Sequence, residues 1–193
     1  MIHFKSIPVL LLLLVFSVVQ SQVQYNAAPG SNNSILIEGT SNIHDWEIKV
    51  EDFTSKLDLS QESESVKIGS INLTIPVKSL KSGKSKMDKN AYEAMEADSY
   101  EMISFNSTSS TLMKEVSPGV YQANVKGDLT ISGTTKQVEI PLELHKSSAG
   151  YTLKAEKDLK MLDFGIEPPT ALFGTITTGE IVNIIFNLTH YKS

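Results

Sequence analysis

The sequence predicts an all-β protein: an eight-stranded antiparallel up-and-down sheet that can close into a barrel, with one helical insertion. Three observations predict it. Eight runs alternate apolar and polar residues with a period of two. Short turn-like segments join most of these runs, which favours consecutive hairpins over crossovers. After residue 21 a single segment departs from the alternation and takes helical spacing.

Residues 1–21 are expected to be a cleavable secretory signal. His3 and Lys5 precede the apolar run Ile7–Val19, and Val19 and Ser21 stand three and one positions before a small-residue cleavage site. The apolar core of about 13 residues is shorter than the ~20 needed to cross a bilayer. Gln22–Asn33 has no periodicity and is expected to be a flexible leader. A single domain over 34–193 follows, with neither an internal repeat nor a second unit.

The first strand holds Ile35, Ile37 and Gly39, and the second Trp46, Ile48 and Val50. Phe53, Leu57 and Leu59 then fall on the opposite parity, so an irregularity is expected near Glu51 or Asp52. In the third run Val66 and Ile68 give way to Ile71, Leu73, Ile75 and Val77, which places a bend at Gly69. Lys86–Ala97 is rich in Ala, Glu, Lys and Met, and Met87, Ala91, Ala94 and Met95 make an apolar stripe at spacings of three and four. Strands resume over Met102–Leu112, Val120–Ser132, Val138–Leu144, Tyr151–Ala155 and Glu180–Tyr191. Eight strands are enough to close a sheet around one small ligand.

Composition excludes much chemistry. The 193 residues carry 17 cationic side chains, all of them Lys, against 22 carboxylates, for a net charge of -5. A mildly acidic chain without Arg is not built for nucleic acid. The absence of Cys removes disulfides, thiolate nucleophiles and zinc–thiolate sites. Gly83-Lys84-Ser85 lacks the earlier Gly of a phosphate-binding loop, and Asp163-Phe164-Gly165 lacks the other kinase motifs. His44, His145 and His190 have no metal-ligand spacing, and no nucleophile elbow is present. Neither a catalytic set nor a cofactor or metal site is expected. Lys78, Lys81, Lys84, Lys86 and Lys89 cluster around one turn. The plainer reading of that cluster is a solvated loop; the functional one is attraction to an anionic headgroup or membrane surface, with Lys81, Lys84 and Lys86 at a cavity entrance.

An ordered series of short motifs resembles the YceI-like family of lipid- or polyisoprenoid-binding proteins. The series comprises Gly39–Trp46 (GTSNIHDW), Ile75–Leu80 (IPVKSL), Met87-Asp88, Ile103–Phe105 (ISF), Gly127–Gly133 (GDLTISG) and Asp163–Ile166 (DFGI), and it extends over roughly residues 34–191. The resemblance implies a lipocalin-like barrel whose apolar interior holds an isoprenoid lipid, an isoprenoid quinone or a fatty amphiphile, in a periplasmic or secreted setting. Many family members carry Arg where this chain has Met87, so a headgroup role for that Arg does not transfer. Strand parity then names the expected lining: Trp46, Ile48, Phe53, Leu73, Ile75, Phe105, Leu129, Ile131, Ile140, Leu142 and Phe186. The function expected is that of an exported binding protein, not an enzyme, with transient membrane contact. The alternatives are a barrel filled by its own side chains in a structural role, and an enzyme acting on such lipids.

Overall fold

The computed structural model describes residues 22–30, 32–62 and 65–193; the expected signal segment lies outside them. The strands are β1 (Val23–Ala27), β2 (Ser34–Ser41), β3 (Trp46–Val50), β4 (Thr54–Glu62), β5 (Ser65–Pro76) and β6 (Leu80–Lys81). The helix α1 (Ser85–Ala94) comes next. It is followed by β7 (Met102–Ser107), β8 (Thr111–Ser117), β9 (Val120–Ile131), β10 (Thr134–Lys146), β11 (Gly150–Lys160), β12 (Thr170–Ala171) and β13 (Ile176–Lys192).

These segments occupy eight positions around a closed antiparallel barrel. β1 and β2 both lie against β13, and they continue onto β4 and β3 respectively. β7 and β8 likewise share the position between β5 and β9. The circuit closes because β1 pairs with β13 on one side and β4 on the other. Segment 22–33 is therefore not wholly a flexible leader. Val23 and Tyr25 alternate with polar residues, and Val23–Ala27 completes the ring through the register Val23–Leu59 to Ala27–Ser55.

Both phase changes expected from the sequence have a structural cause. Residues 51–53 leave the sheet between β3 and β4, and the break is tied to the 3-10 turn Val77–Ser79. There the Glu51 N–H donates to Ser79 O at 2.9 Å, and the Ser79 hydroxyl donates to Asp52 O at 3.0 Å. In the β4–β5 ladder Asp58 faces Ser70 while Leu59 faces Ile68, so Gly69 is the extra residue of a bulge. One expected strand is interrupted: residues 108–110 separate β7 from β8.

One end of the barrel is filled. Leu57, Leu59, Val66, Ile68, Met113, Tyr121 and Leu144 are all buried there, and the Tyr25 and Tyr151 rings meet edge to face at 5.2 Å. At the other end α1 lies across the mouth. The Tyr92 hydroxyl fixes the helix by donating to Leu80 O at 2.7 Å, and Asp88 accepts from the Ser82 N–H at 2.7 Å. Burial pushes the Asp88 carboxyl up, but the hydroxyl and N–H of Ser82 outweigh it and hold the group below its ordinary range.

Candidate functional site

Side chains alternate across a strand, so one face of each strand lines the interior. Two consecutive cavities occupy it. The outer measures about 410 Å3 and lies beneath α1; the inner measures about 90 Å3 and runs toward the filled end. They share Ile37, Leu80, Ile103, Ile131, Leu159 and Ile184, and so form one tunnel. From α1, Met87, Ala91, Ala94 and Met95 face the outer cavity, which is the stripe read from the sequence.

The rim is assembled from three separate segments. In the first, Gly39 opposes Trp46 across the β2–β3 ladder, and the indole lies where a Gly39 Cβ would stand, within 2.1 Å. Any larger residue at 39 would displace the ring. The indole N–H donates to Thr40 O at 2.9 Å, and the Ser41 hydroxyl donates to His44 O at 2.6 Å to fold the turn. Asn42 then ties this turn to the second rim segment: its side chain donates to Thr175 O at 2.9 Å and accepts from the Thr177 N–H at 3.0 Å. That second segment includes Ala171 and Leu172, and the third is the start of α1 with Lys84 and Lys86. The rim exposes apolar groups: Ile43 and Leu172 are each 57% exposed, and Phe173 is fully exposed. Leu172 and Phe173 both have positive φ, at 48° and 57°, a left-handed conformation uncommon for residues with large side chains.

Ten of the eleven residues expected from parity border the two cavities. Trp46, Ile48 and Ile131 line the outer cavity; Leu73, Ile75, Phe105, Leu129, Ile131, Ile140, Leu142 and Phe186 line the inner one. Phe53 borders neither cavity: it is 2% exposed and packs in the core beside Ile35, Val50 and Leu188. Lys81 is corrected. Its ammonium donates to the Tyr92 hydroxyl at 2.8 Å and lies 5.2 Å from that ring's centre, so it braces α1 and does not line the mouth. That hydrogen bond raises its pKa above the ordinary value. Lys84 and Lys86 stay exposed at the mouth.

Two polar features of the inner cavity are not evident in the sequence. Ser55 lines it and bonds to His190 at 2.8 Å, with both side chains buried. His190 Nδ1 lies 3.1 Å from Leu188 O, so Nδ1 carries the proton and Nε2 accepts the Ser55 hydroxyl. Burial lowers the His190 pKa to about 4, against a smaller upward pull from the Leu188 carbonyl, so the ring is neutral near pH 7. The second feature is Lys157, which also lines this cavity. Among the described residues no group of three or more His, Asp or Glu is placed to hold a metal.

A family model for the YceI-like domain matches residues 20–190. Solved structures share the fold at low identity. Burkholderia cenocepacia BcnA aligns with TM-score 0.65 and 19% identity over 81% of this chain and 94% of its own. A polyisoprenoid binding domain from Saccharophagus degradans, implicated in plant cell wall breakdown, aligns with TM-score 0.67 and 11% identity over 87% and 98%. The Campylobacter jejuni YceI protein aligns with TM-score 0.59 and 15% identity over 76% and 84%. No curated protein matches the chain.

Proposed function

The chain belongs to the YceI-like domain family, and from that premise we propose that it is an exported protein that sequesters or carries a long-chain amphiphile of isoprenoid type in its barrel. The observation that carries this reading is the tunnel: about 410 Å3 in its outer part, walled by aliphatic and Met side chains and continued inward by a further 90 Å3. An interior of that size falls within the range of small-molecule pockets. Its chemistry is removal of an apolar chain from water, which is the work of a binding module and not of an enzyme. The polyisoprenoid-binding description of the Saccharophagus degradans neighbour supports the ligand class.

Transient membrane contact belongs to the same proposal. Ile43, Leu172 and Phe173 present apolar groups to water around the mouth, with Lys84 and Lys86 beside them. Such a ring favours docking on an anionic bilayer, from which an amphiphile could pass into the tunnel without crossing water. Export rests on the expected signal over residues 1–21, and the intact mass of the secreted product checks it. The test of the function is mass spectrometry of lipids released from protein purified out of its native host. An isoprenoid or other long-chain lipid at near-stoichiometric yield is expected. Protein that carries no lipid, and takes up none from vesicles, overturns the reading.

A further inference from the structure

Part of the outer cavity's wall is not sheet. The β10–β11 ladder ends at the pair Leu142–Ala155. The next position on β10 is Pro141, which has no N–H to donate to β11. Beyond it residues 134–141 pair only with β9 and residues 156–160 only with β13, so a wedge opens between the two strands. The chain that follows β11 fills this wedge as a plug, the 3-10 turn Met161–Phe164 closed by Gly165 with φ 72°. It packs against β10, β11 and β13. Phe164 and Ile166 are buried in the core and line the outer cavity together with Met161, whereas Leu162 is 38% exposed.

The plug is attached differently from the other elements around that cavity. α1 is pinned by Tyr92 on Leu80 O, by Ser82 on Asp88, and by the Ser132 hydroxyl donating to Met95 O at 3.1 Å. The two rim turns are pinned to each other by Asn42. The plug's own bonds are internal: the Gly165 N–H donates to Leu162 O at 3.1 Å, and the Ile166 N–H to Met161 O at 3.2 Å. Among the described residues no hydrogen bond or ion pair joins 161–169 to another segment. Apart from its chain ends, the plug is held by apolar contact. Apolar contact is non-directional, so a lipid tail can replace it. A paired strand, by contrast, cannot leave the wall without stranding backbone hydrogen bonds.

We infer that the plug Met161–Ile166 is a displaceable side wall, and that a polyprenyl chain longer than the tunnel pushes it aside and leaves the barrel between β10 and β11. This rests on the tunnel being a lipid site. The cavities of about 410 and 90 Å3 run toward the filled end, so a longer chain has no axial exit there. As the plug yields, Phe164 and Ile166 exchange contacts with the core for contacts with the chain, and apolar surface stays out of water.

The test uses the double variant Thr134→Cys, Gly165→Cys in a chain with no other Cys. A Cβ at Gly165 would stand 3.9 Å from Thr134 Oγ1, so a disulfide there can tether the plug to β10. Equilibrium uptake of geranylgeraniol and of the much longer prenol solanesol from neutral vesicles is measured with the tether oxidised and reduced. Both forms should bind geranylgeraniol alike. Solanesol should bind the oxidised form about tenfold or more weakly than the reduced one, since each pair of methylenes kept in water costs about that factor. Hydrogen exchange of the parent gives a second measure that needs no variant. Solanesol should speed exchange of the amides of 161–166 and leave those of α1 unchanged, and geranylgeraniol should alter neither. Solanesol refused by a parent that takes geranylgeraniol, bound equally by both forms, or bound without faster exchange at 161–166, overturns the inference and leaves the lipid tunnel standing. A parent that takes up neither prenol overturns the tunnel reading itself.

Discussion

Replacing His190 with Gln should flatten the pH dependence of folding stability. His190 is wholly buried, with Nδ1–H donated to Leu188 O and Nε2 accepting the Ser55 hydroxyl. Its pKa in the fold is about 4, against an ordinary value of 6.5. Between those values the unfolded chain binds a proton that the folded chain does not. Stability is therefore present in full above pH 6.5 and is lost as pH falls toward 4. The separation corresponds to about 3 kcal/mol, an order-of-magnitude figure that is a large fraction of a domain's net stability. Asp88, Asp98 and Glu143 also have lowered pKa values, but they lose their contribution at lower pH and are common to both proteins. Gln keeps an acceptor for Ser55 and cannot titrate. Urea unfolding of parent and His190→Gln at steps from pH 7.5 to 4.5 gives the two curves. The parent should lose about 2–3 kcal/mol more than the variant across that range. Parallel curves would refute the assignment of a neutral, desolvated imidazole at the tunnel floor.

Further predictions concern the tunnel and its mouth. For ligands sharing one headgroup, each two-carbon extension should tighten binding by about tenfold until the tail outgrows the tunnel; dissociation constants independent of length would contradict burial as the driving force. Ala94→Trp puts an indole into the outer cavity from α1 and should abolish uptake of long chains while the far-UV spectrum is unchanged; undiminished uptake would move the site elsewhere. Phe173→Ser combined with Leu172→Ser should slow transfer from vesicles severalfold and leave equilibrium affinity for dissolved ligand unaltered, since both side chains are exposed at the rim. Lys84→Gln with Lys86→Gln should slow transfer from anionic vesicles at low salt and match the parent at high salt; equal rates at every salt concentration would reduce these lysines to simple solvation.

Local periodicity determined much of this protein. Period-two alternation identified the eight barrel positions, and two changes of parity located the break at 51–53 and the bulge at Gly69. The stripe Met87, Ala91, Ala94, Met95 identified the helix face that now roofs the outer cavity. These are near-neighbour signals, written into residues two to four apart. Tertiary structure decided what alternation cannot carry. Parity tells which way a side chain points but not what it meets, so Phe53 proved to be core, while Leu73 and Phe105 line open space. The short β1 alternates over only five residues and is held by pairing with β4 and β13. Ser55 and His190 are 135 residues apart, and only closure of the ring brings them together. Lys157 reads as an ordinary charge in the run Lys154–Lys160; that its stem borders the inner cavity follows only once the ring has closed around the face of β11 it shares with Leu153 and Leu159.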